Sequence, residues 1–423
     1  MNDGYEEVRI GPKKVKIPEE WQRVSLESIS KNSGQYGANQ SAIPFDENEY
    51  RYIRVTDLTE NGHLSNEEKK SIPKEDNEKY ELKNGDIVFA RTGTPGLTYV
   101  FNENDSNIDY AFAGYLIRFE LKDNIDSNYL SYYTQSYHYW SWIKSTQRST
   151  TLSNINASEF RTLPIIKPSS SEQRRIAEIL SIVDDAIQKT DEVIEKAERL
   201  KKGLMQDLLT KGIGHDEFKE VQIGPKTVEI PVEWEVEKLG NFSKIIVPQR
   251  DKPKRFEGNV PWIRIEDLDG KYLDDSKSGK RVSEELIDQM NLRPYPEGTV
   301  LCSCSGNMGV CAITTSVLTS NQTFAGIVPD EKINKEYLYY FLSDNAKILQ
   351  TLATGTTIPY LNKGEFKKLN IPLPSQEEQY KISNMLSIID KKIKKEERYK
   401  QKLKVLKEGL MQDLLKGKVR VNV

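Results

Sequence analysis

EFRTLPIIKPSSSEQ at Glu159–Gln173 returns as EFKKLNIPLPSQEEQ at Glu365–Gln379, an offset of 365 − 159 = 206 residues. Each copy reads as a short β-rich run, a proline that ends it, and a serine with a glutamate three residues on. That spacing is a capping box, in which the two residues satisfy otherwise unpaired amide groups at the start of a helix. It pairs Ser169 with Glu172 and Ser375 with Glu378. The chain beyond each cap is periodic and free of proline. Ile176, Leu180, Val183, Ile187, Thr190, Ile194, Ala197, Leu204 and Leu208 recur in steps of three and four, with Lys201 breaking the row. The second copy has Ile382, Leu386, Ile389, Ile393, Leu403, Leu410 and Leu414, with Glu396, Lys400 and Lys407 making its middle more polar. This is the heptad seam of a coiled coil. Both copies close on Lys-Gly, at Lys211-Gly212 and Lys416-Gly417, which supply a cation for the last turn and a residue tolerant of left-handed backbone.

About 38 residues at about 1.5 Å each give a rod of roughly 57 Å, too long for one small domain to bury. The two apolar seams are therefore expected to cover each other, and a two-fold relation between the copies makes the pair antiparallel. Gly203 and Gly409 sit inside the pattern at equivalent places, each costing about 1 kcal/mol as a helix residue. Two readings stay open: the helices approach or kink there, or they stop and a short helix comes after.

The repetition extends outward from the helices. VRIGPKKVKIPEEW at Val8–Trp21 returns as VQIGPKTVEIPVEW at Val221–Trp234, an offset of 234 − 21 = 213. YIRVTDL at Tyr52–Leu58 returns as WIRIEDL at Trp262–Leu268, and NYLSYY at Asn128–Tyr133 as EYLYYF at Glu336–Phe341. A period this long excludes solenoids, whose repeats run about 20 to 50 residues. Between the repeated landmarks lie short β-rich runs separated by turn residues, then an aromatic helix at Asn128–Trp142 and at Lys335–Leu352. The expected fold class is α+β: two α/β domains related by a pseudo-two-fold, residues 1–168 and 213–374, separated by an antiparallel coiled coil of two long helices, residues 169–212 and 375–423.

Composition narrows the function. Lys and Arg number 61 against 64 Asp and Glu, a net charge of −3, so any nucleic-acid partner must be held by local basic patches. No apolar run is long enough to span a membrane, the start shows no apolar stretch behind a basic one, and three cysteines build no disulfide framework. A soluble cytoplasmic protein is expected. The sequence holds no phosphate-binding Gly-x4-Gly-Lys-Ser/Thr, no His-Glu-x-x-His, no Gly-x-Ser-x-Gly and no Asp/Asn-Pro-Pro-Tyr/Phe segment. His63, His138 and His215 lie far apart and have no partners in the opposite copy. Cys302, Cys304 and Cys311 lack a fourth zinc ligand and align with Phe89, Arg91 and Thr98, so no zinc site is expected and Cys302 reads as core filler in a strand. No catalytic, cofactor-binding or metal-binding residue is expected.

The loops differ between the copies while the caps and seams match. In the first, Arg91 and Thr92 follow a strand, and Arg148, Ser149 and Thr150 precede the return to the helix. In the second, Arg250, Lys252, Lys254 and Arg255 form a basic loop broken by proline. Ser305 and Asn307 occupy the place of the Arg91 turn, and Thr356 and Thr357 that of Arg148 to Thr151. Arg, Asn and Thr can bond base edges, and Lys and Arg neutralise phosphates, so these residues are DNA-binding candidates.

With GDIVFARTG and EGTVLCSCSG inside the domains, and LPIIKPSSSEQRRI and LNIPLPSQEEQYKI leading into the helices, the whole chain resembles the specificity subunits of type I restriction-modification systems. The resemblance implies that each domain is a target recognition domain reading one half of a split, asymmetric double-stranded DNA site, with the helices as spacer. It implies two methyltransferase subunits and restriction (motor-nuclease) subunits as partners, in DNA methylation and host defence. The subunit itself would be non-catalytic, with S-adenosylmethionine, ATP and Mg²⁺ on the partners. That family's base-reading residues are not fixed by motif, so no single contact carries over. Two other readings remain at this stage: the same subunit serving a fused methyltransferase-nuclease, and a duplicated coiled-coil scaffold that bridges proteins without DNA.

Overall fold

The computed structural model describes residues 4–103, 107–147, 154–248, 252–305, 307–353 and 360–422. The chain forms two compact units, Met1–Asp191 with Arg398–Val423, and Glu192–Glu397. The first opens with an antiparallel hairpin, Tyr5–Ile10 against Lys13–Pro18, and closes its domain by pairing Gln22–Ser25 with Pro164–Lys167. Between them lie two four-stranded sheets. One is antiparallel in the order Gln35–Tyr36, Leu116–Phe119, Ile87–Ala90, Thr98–Val100; the other runs Tyr110–Phe112, Tyr50–Ile53, Lys70–Ile72, Ile43–Pro44. The second unit repeats the hairpin with Phe218–Ile223 and Lys226–Pro231, and the closing pair with Glu235–Lys238 and Asn370–Leu373. Its main sheet has five strands, in the order Ser243–Ile246, Phe324–Pro329, Val300–Ser303, Cys311–Thr314, Tyr272–Leu273.

The parts of fixed length are continuous helices, Ser170–Leu208 and Gln376–Leu414, of 39 residues each. Both run through their glycines. Nothing stands within 4 Å of where a Cβ of Gly203 or Gly409 would be, so neither a stop nor a close approach occurs there. Ser169 Oγ accepts from the Glu172 amide at 3.3 Å and Ser375 Oγ from the Glu378 amide at 3.2 Å. The first box closes reciprocally, the Ser169 amide donating to Glu172 at 3.2 Å, whereas the Glu378 carboxylate instead takes the Ile213 amide, Trp234 and His215.

Each domain core takes in the beginning of one long helix and the end of the other. In the first unit Ile176, Ala177 and Leu180 share a core with Leu414 and Leu415, around Trp21, Phe89 and Phe160. In the second, Ile382 and Leu386 share one with Met205, Leu208 and Leu209, around Trp234, Cys302 and Phe366. Filling a single core from opposite ends makes the two helical segments antiparallel within each unit. Within each unit the two seams cover each other as expected, but unevenly. Ile176, Leu180, Val183, Leu208, Ile382, Leu386, Leu403 and Leu414 are buried, but Ile187, Ile194, Leu204, Ile389, Ile393 and Leu410 are only half-buried.

Charge fills the gaps in the seam. In the first unit Lys407 pairs with Asp184 at 2.7 Å and Lys400 with Asp191; in the second Lys201 pairs with Asp390 at 2.6 Å. The numbers 407 and 184, 400 and 191, 201 and 390 each add to 591, so a slip of one residue would part every pair. Each domain then joins in through a tyrosine. The Tyr132 hydroxyl donates to Asp184 at 2.9 Å beneath the Lys407 ammonium, and the Tyr340 hydroxyl donates to Asp390. Burial, reinforced by the carboxylate, pushes both phenols well above their usual range and keeps them donors.

The capping glutamates do a second job. Glu172 accepts from Trp21 Nε1 at 3.2 Å and from Arg420, which lies beyond the end of the other helix, at 2.7 Å. Glu378 accepts from Trp234 Nε1 at 3.1 Å and contacts His215 Nε2, likewise beyond the end of the other helix, at 2.9 Å. Gly212 and Gly417 both turn the chain at φ +68, and a Cβ there would lie 2.6 Å from Trp234 or 2.5 Å from Pro18. His215 therefore has a counterpart in the opposite copy, contrary to the sequence reading: Arg420 performs its task.

That substitution of cation has a pH consequence. The hydrogen bond to Glu378 and, after it, contact with Glu233 raise the His215 pKa. A raised pKa makes this clasp fully stabilising below about pH 6.5 and weakens it as pH climbs through the raised value. Thermal melting between about pH 6 and 9 is expected to show a decline in stability that His215→Arg abolishes; identical profiles for the two proteins would contradict the clasp.

Candidate nucleic-acid interface

The same turn frame occurs in both units. In the first, the strand Ile87–Ala90 passes through residues 91–96 to Thr98–Val100; the Gly96 amide donates to Ala90 O at 2.9 Å and the Ala90 amide to Leu97 O at 2.8 Å. In the second, the Gly309 amide donates to Ser303 O at 3.1 Å and the Ser303 amide to Val310 O at 2.9 Å. A strap crosses each turn at an equivalent bond, from the Ile155 amide to Arg91 O and from the Leu361 amide to Cys304 O, both at 3.0 Å. These three backbone bonds recur in both turns. Only the displayed side chains differ, and Arg91 and Cys304 are equivalent as the repeat predicts.

In the first unit Arg91 is half-exposed and stacks over the Tyr36 ring at 4.9 Å, with its Nε donating to Asn154 at 3.3 Å. Its amide donates to the carbonyl of Tyr115, whose side chain is 63% exposed. The Tyr36 hydroxyl accepts from the Ala157 amide at 3.1 Å, which fixes the ring. Thr92 adjoins this surface. A guanidinium fixed on an accessible aromatic face suits stacking on a base and contact with its phosphate. The candidates Arg148, Ser149 and Thr150 lie outside the described residues.

In the second unit Asn307 is exposed and Ser305 is bridged through its backbone to Tyr360. Cys302 faces Cys311 in register, and Cys304 is buried beside them. Contact with Cys311, together with burial, holds the Cys302 thiol well above its usual range, as befits inert core. Lys252, Lys254 and Arg255 are exposed around the buried Pro253. Arg250, Thr356 and Thr357 lie outside the described residues.

A basic cluster here has no counterpart among the candidates read from sequence. Lys244 projects from Ser243–Ile246, and Lys363 and Lys367 from the short helix Lys363–Lys368. The stem of Lys367 lies 3.0 Å from where Gly240 would carry a Cβ, next to that strand. Arg293 precedes Tyr295, whose ring occupies the space a Gly326 side chain would take, and Gly326 pairs with Ile246. All four are exposed, and among the described residues none is in an ion pair. Partial burial, then the positive charge of Lys367, Arg293 and Lys244, pushes the Lys363 ammonium below its ordinary pKa. Among the described residues no cluster of His, Cys, Asp or Glu could hold a metal, and no helix is long and apolar enough to cross a membrane.

The family model for the type I restriction modification DNA specificity domain matches residues 18–199 and 231–405, and the chain belongs to that family. It is 28% identical over 436 residues to a protein of Methanocaldococcus jannaschii designated the putative MjaX type I restriction enzyme specificity subunit, covering 99% of this chain and 97% of that one. With the MjaVIII specificity subunit of the same organism it shares 29% identity over 355 residues, 76% of this chain and 80% of the other. The crystal structure of a type I restriction-modification S subunit from M. genitalium has the same fold, with a TM-score of 0.57, 15% identity, and coverage of 98% of this chain and 99% of that one.

Arg91 is held by an exposed ring worth about 0.5–1 kcal/mol, so its loss leaves the fold intact. Arg91→Ala is expected to weaken binding to the target duplex by about 1–3 kcal/mol with little change in melting temperature. Fluorescence anisotropy with a labelled duplex checks it, and unchanged affinity would remove Arg91 from the interface.

Proposed function

We propose that this member of the type I restriction modification DNA specificity family is the DNA-reading subunit of a restriction-modification complex. Each unit reads one half of a split, asymmetric duplex site, and the protein delivers methyltransferase and restriction subunits to it. One observation carries the reading: two turns framed by the same three backbone bonds display unlike side chains, Arg91 and Thr92 on one, Ser305 and Asn307 on the other. Equal frames with unequal displays are what two half-sites of different sequence require. Phosphate contacts give affinity and position, and the displayed side chains select bases.

Two copies of a methyltransferase subunit fit a second repeat on the helices. Ile182, Tyr399 and Leu406 are exposed in the first unit, and Ile388, Val193 and Leu200 in the second, the same positions displaced by 206 residues. Exposed large apolar side chains recurring on both copies suit two docking faces for one kind of partner. Catalysis, and with it S-adenosylmethionine, ATP and Mg²⁺, belongs on this reading to the partners, and this chain contributes recognition and assembly.

Exchange of Met1 to Pro168 for the corresponding part of another family member, with single-molecule mapping of methylated bases in the host genome, tests this division of labour. One half-site is expected to change and the other to persist. Changes in both would contradict separate reading.

A further inference from the structure

We infer that the two units hold DNA by different chemistry: Lys244, Arg293, Lys363 and Lys367 of the second unit form a clamp for the phosphodiester backbone, while the equivalent surface of the first relies on stacking. The inference rests on the DNA-reading function proposed above and assigns within it where the electrostatic grip resides. The four cations come from three separate segments and converge on one edge of the main sheet. Like charges gathered without ion-pair partners among the described residues repel, the one acid on the short helix, Glu365, being taken by Lys368, and an incoming anion relieves the arrangement. Elsewhere in this protein exposed cations commonly have carboxylates: Lys332 pairs with Glu237, Lys277 with Asp269, Lys368 with Glu365.

Position ties the cluster to the reading turn. Leu361, whose amide bonds Cys304 O, is followed by Asn362, which caps the short helix by accepting from the Gly364 and Glu365 amides, and Lys363 comes next. Lys363 thus adjoins the turn bearing Ser305 and Asn307, and the cluster runs from there to Lys244, which pairs with Val328 further along the sheet. In the first unit the place of Lys363 and Lys367, 206 residues earlier, is taken by Ala157 and Arg161. Arg161 is already engaged by Glu27 at 3.5 Å and Ser158 at 3.1 Å, and the Ala157 amide anchors Tyr36. The same corner of the frame has become a charge clamp in one unit and an aromatic platform in the other. A run of regularly spaced phosphates beside the bases being read is the anion that this placement serves.

Counterion release makes the clamp measurable, since each phosphate contact contributes about 0.9 to the slope of log K against log salt. The intact complex with its methyltransferase subunits would be titrated with site-containing duplex from about 50 to 300 mM salt. Lys244→Gln/Arg293→Gln/Lys363→Gln/Lys367→Gln is compared with wild type, with Lys363→Gln alone, and with Lys392→Gln/Lys394→Gln/Lys395→Gln on the second long helix. The quadruple change is expected to lower the slope by about 3 and the single one by about 1, with the helix control unaffected and the methylated sequence unchanged. A wild-type slope in the quadruple variant would overturn the clamp and leave DNA reading intact. Loss of the methyltransferase subunits from the quadruple variant, with unchanged DNA slope, would assign the patch to an acidic protein surface and also overturn it. Absence of wild-type binding to the duplex would defeat the DNA-reading function itself.

Discussion

Everything in this protein depends on each domain core being completed by the start of one long helix and the end of the other. Trp21 and Phe160 pack with Ile176 and Leu180, but also with Leu414 and Leu415; Trp234 and Phe366 pack with Ile382 and Leu386, but also with Met205 and Leu208. A domain therefore cannot finish folding on its own following helix. It needs the helix that belongs, in sequence, to the other copy, and it needs that helix reversed.

Apolar burial at the helix ends sets direction, whereas charge sets register. The Lys–Asp pairs are partly exposed, with side-chain accessibilities of 12% and 22% for Lys407 and Asp184, so their net contribution to stability is modest compared with that of a core residue. Their value lies in specificity. An apolar seam alone tolerates sliding by a heptad, but Lys201, Lys400 and Lys407 each meet an aspartate only in one alignment, and Tyr132 and Tyr340 fasten the domains to Asp184 and Asp390 of the same set. With the frame fixed by helices and by backbone bonds such as those at Gly96 and Gly309, the displayed loops are free to differ without endangering the fold.

Local chemistry was legible in the sequence. The Ser caps, the left-handed glycines Gly212 and Gly417 and the steps of three and four depend on neighbours a turn away and appear as read, whereas Lys211 and Lys416 fall past helices that end at Leu208 and Leu414 and place no cation in a last turn. Residues whose partners lie some 200 positions off are not legible in that way: Lys201 and Lys407 look like breaks in a seam until Asp390 and Asp184 are seen beside them. His215 and Arg420 do one job with different side chains, each three residues beyond the glycine of its Lys-Gly ending, and the unlike residue types hide the equivalence. Among the candidate DNA contacts, Arg91 was legible from its place after a strand. Tyr36, Tyr115 and the Lys244 cluster were not, because a surface assembled from separate segments leaves no spacing to read.

Centrally, we propose that helix length fixes the interval between two unlike readers on a duplex. Inserting seven residues into both long helices, between the charged pairs so that their register is kept, and mapping methylated bases across the host genome tests it most directly. Helices that set the interval give an unread gap longer by at most about 3 base pairs per heptad, with both half-sites unchanged. An unaltered gap, or altered half-sites, would contradict it.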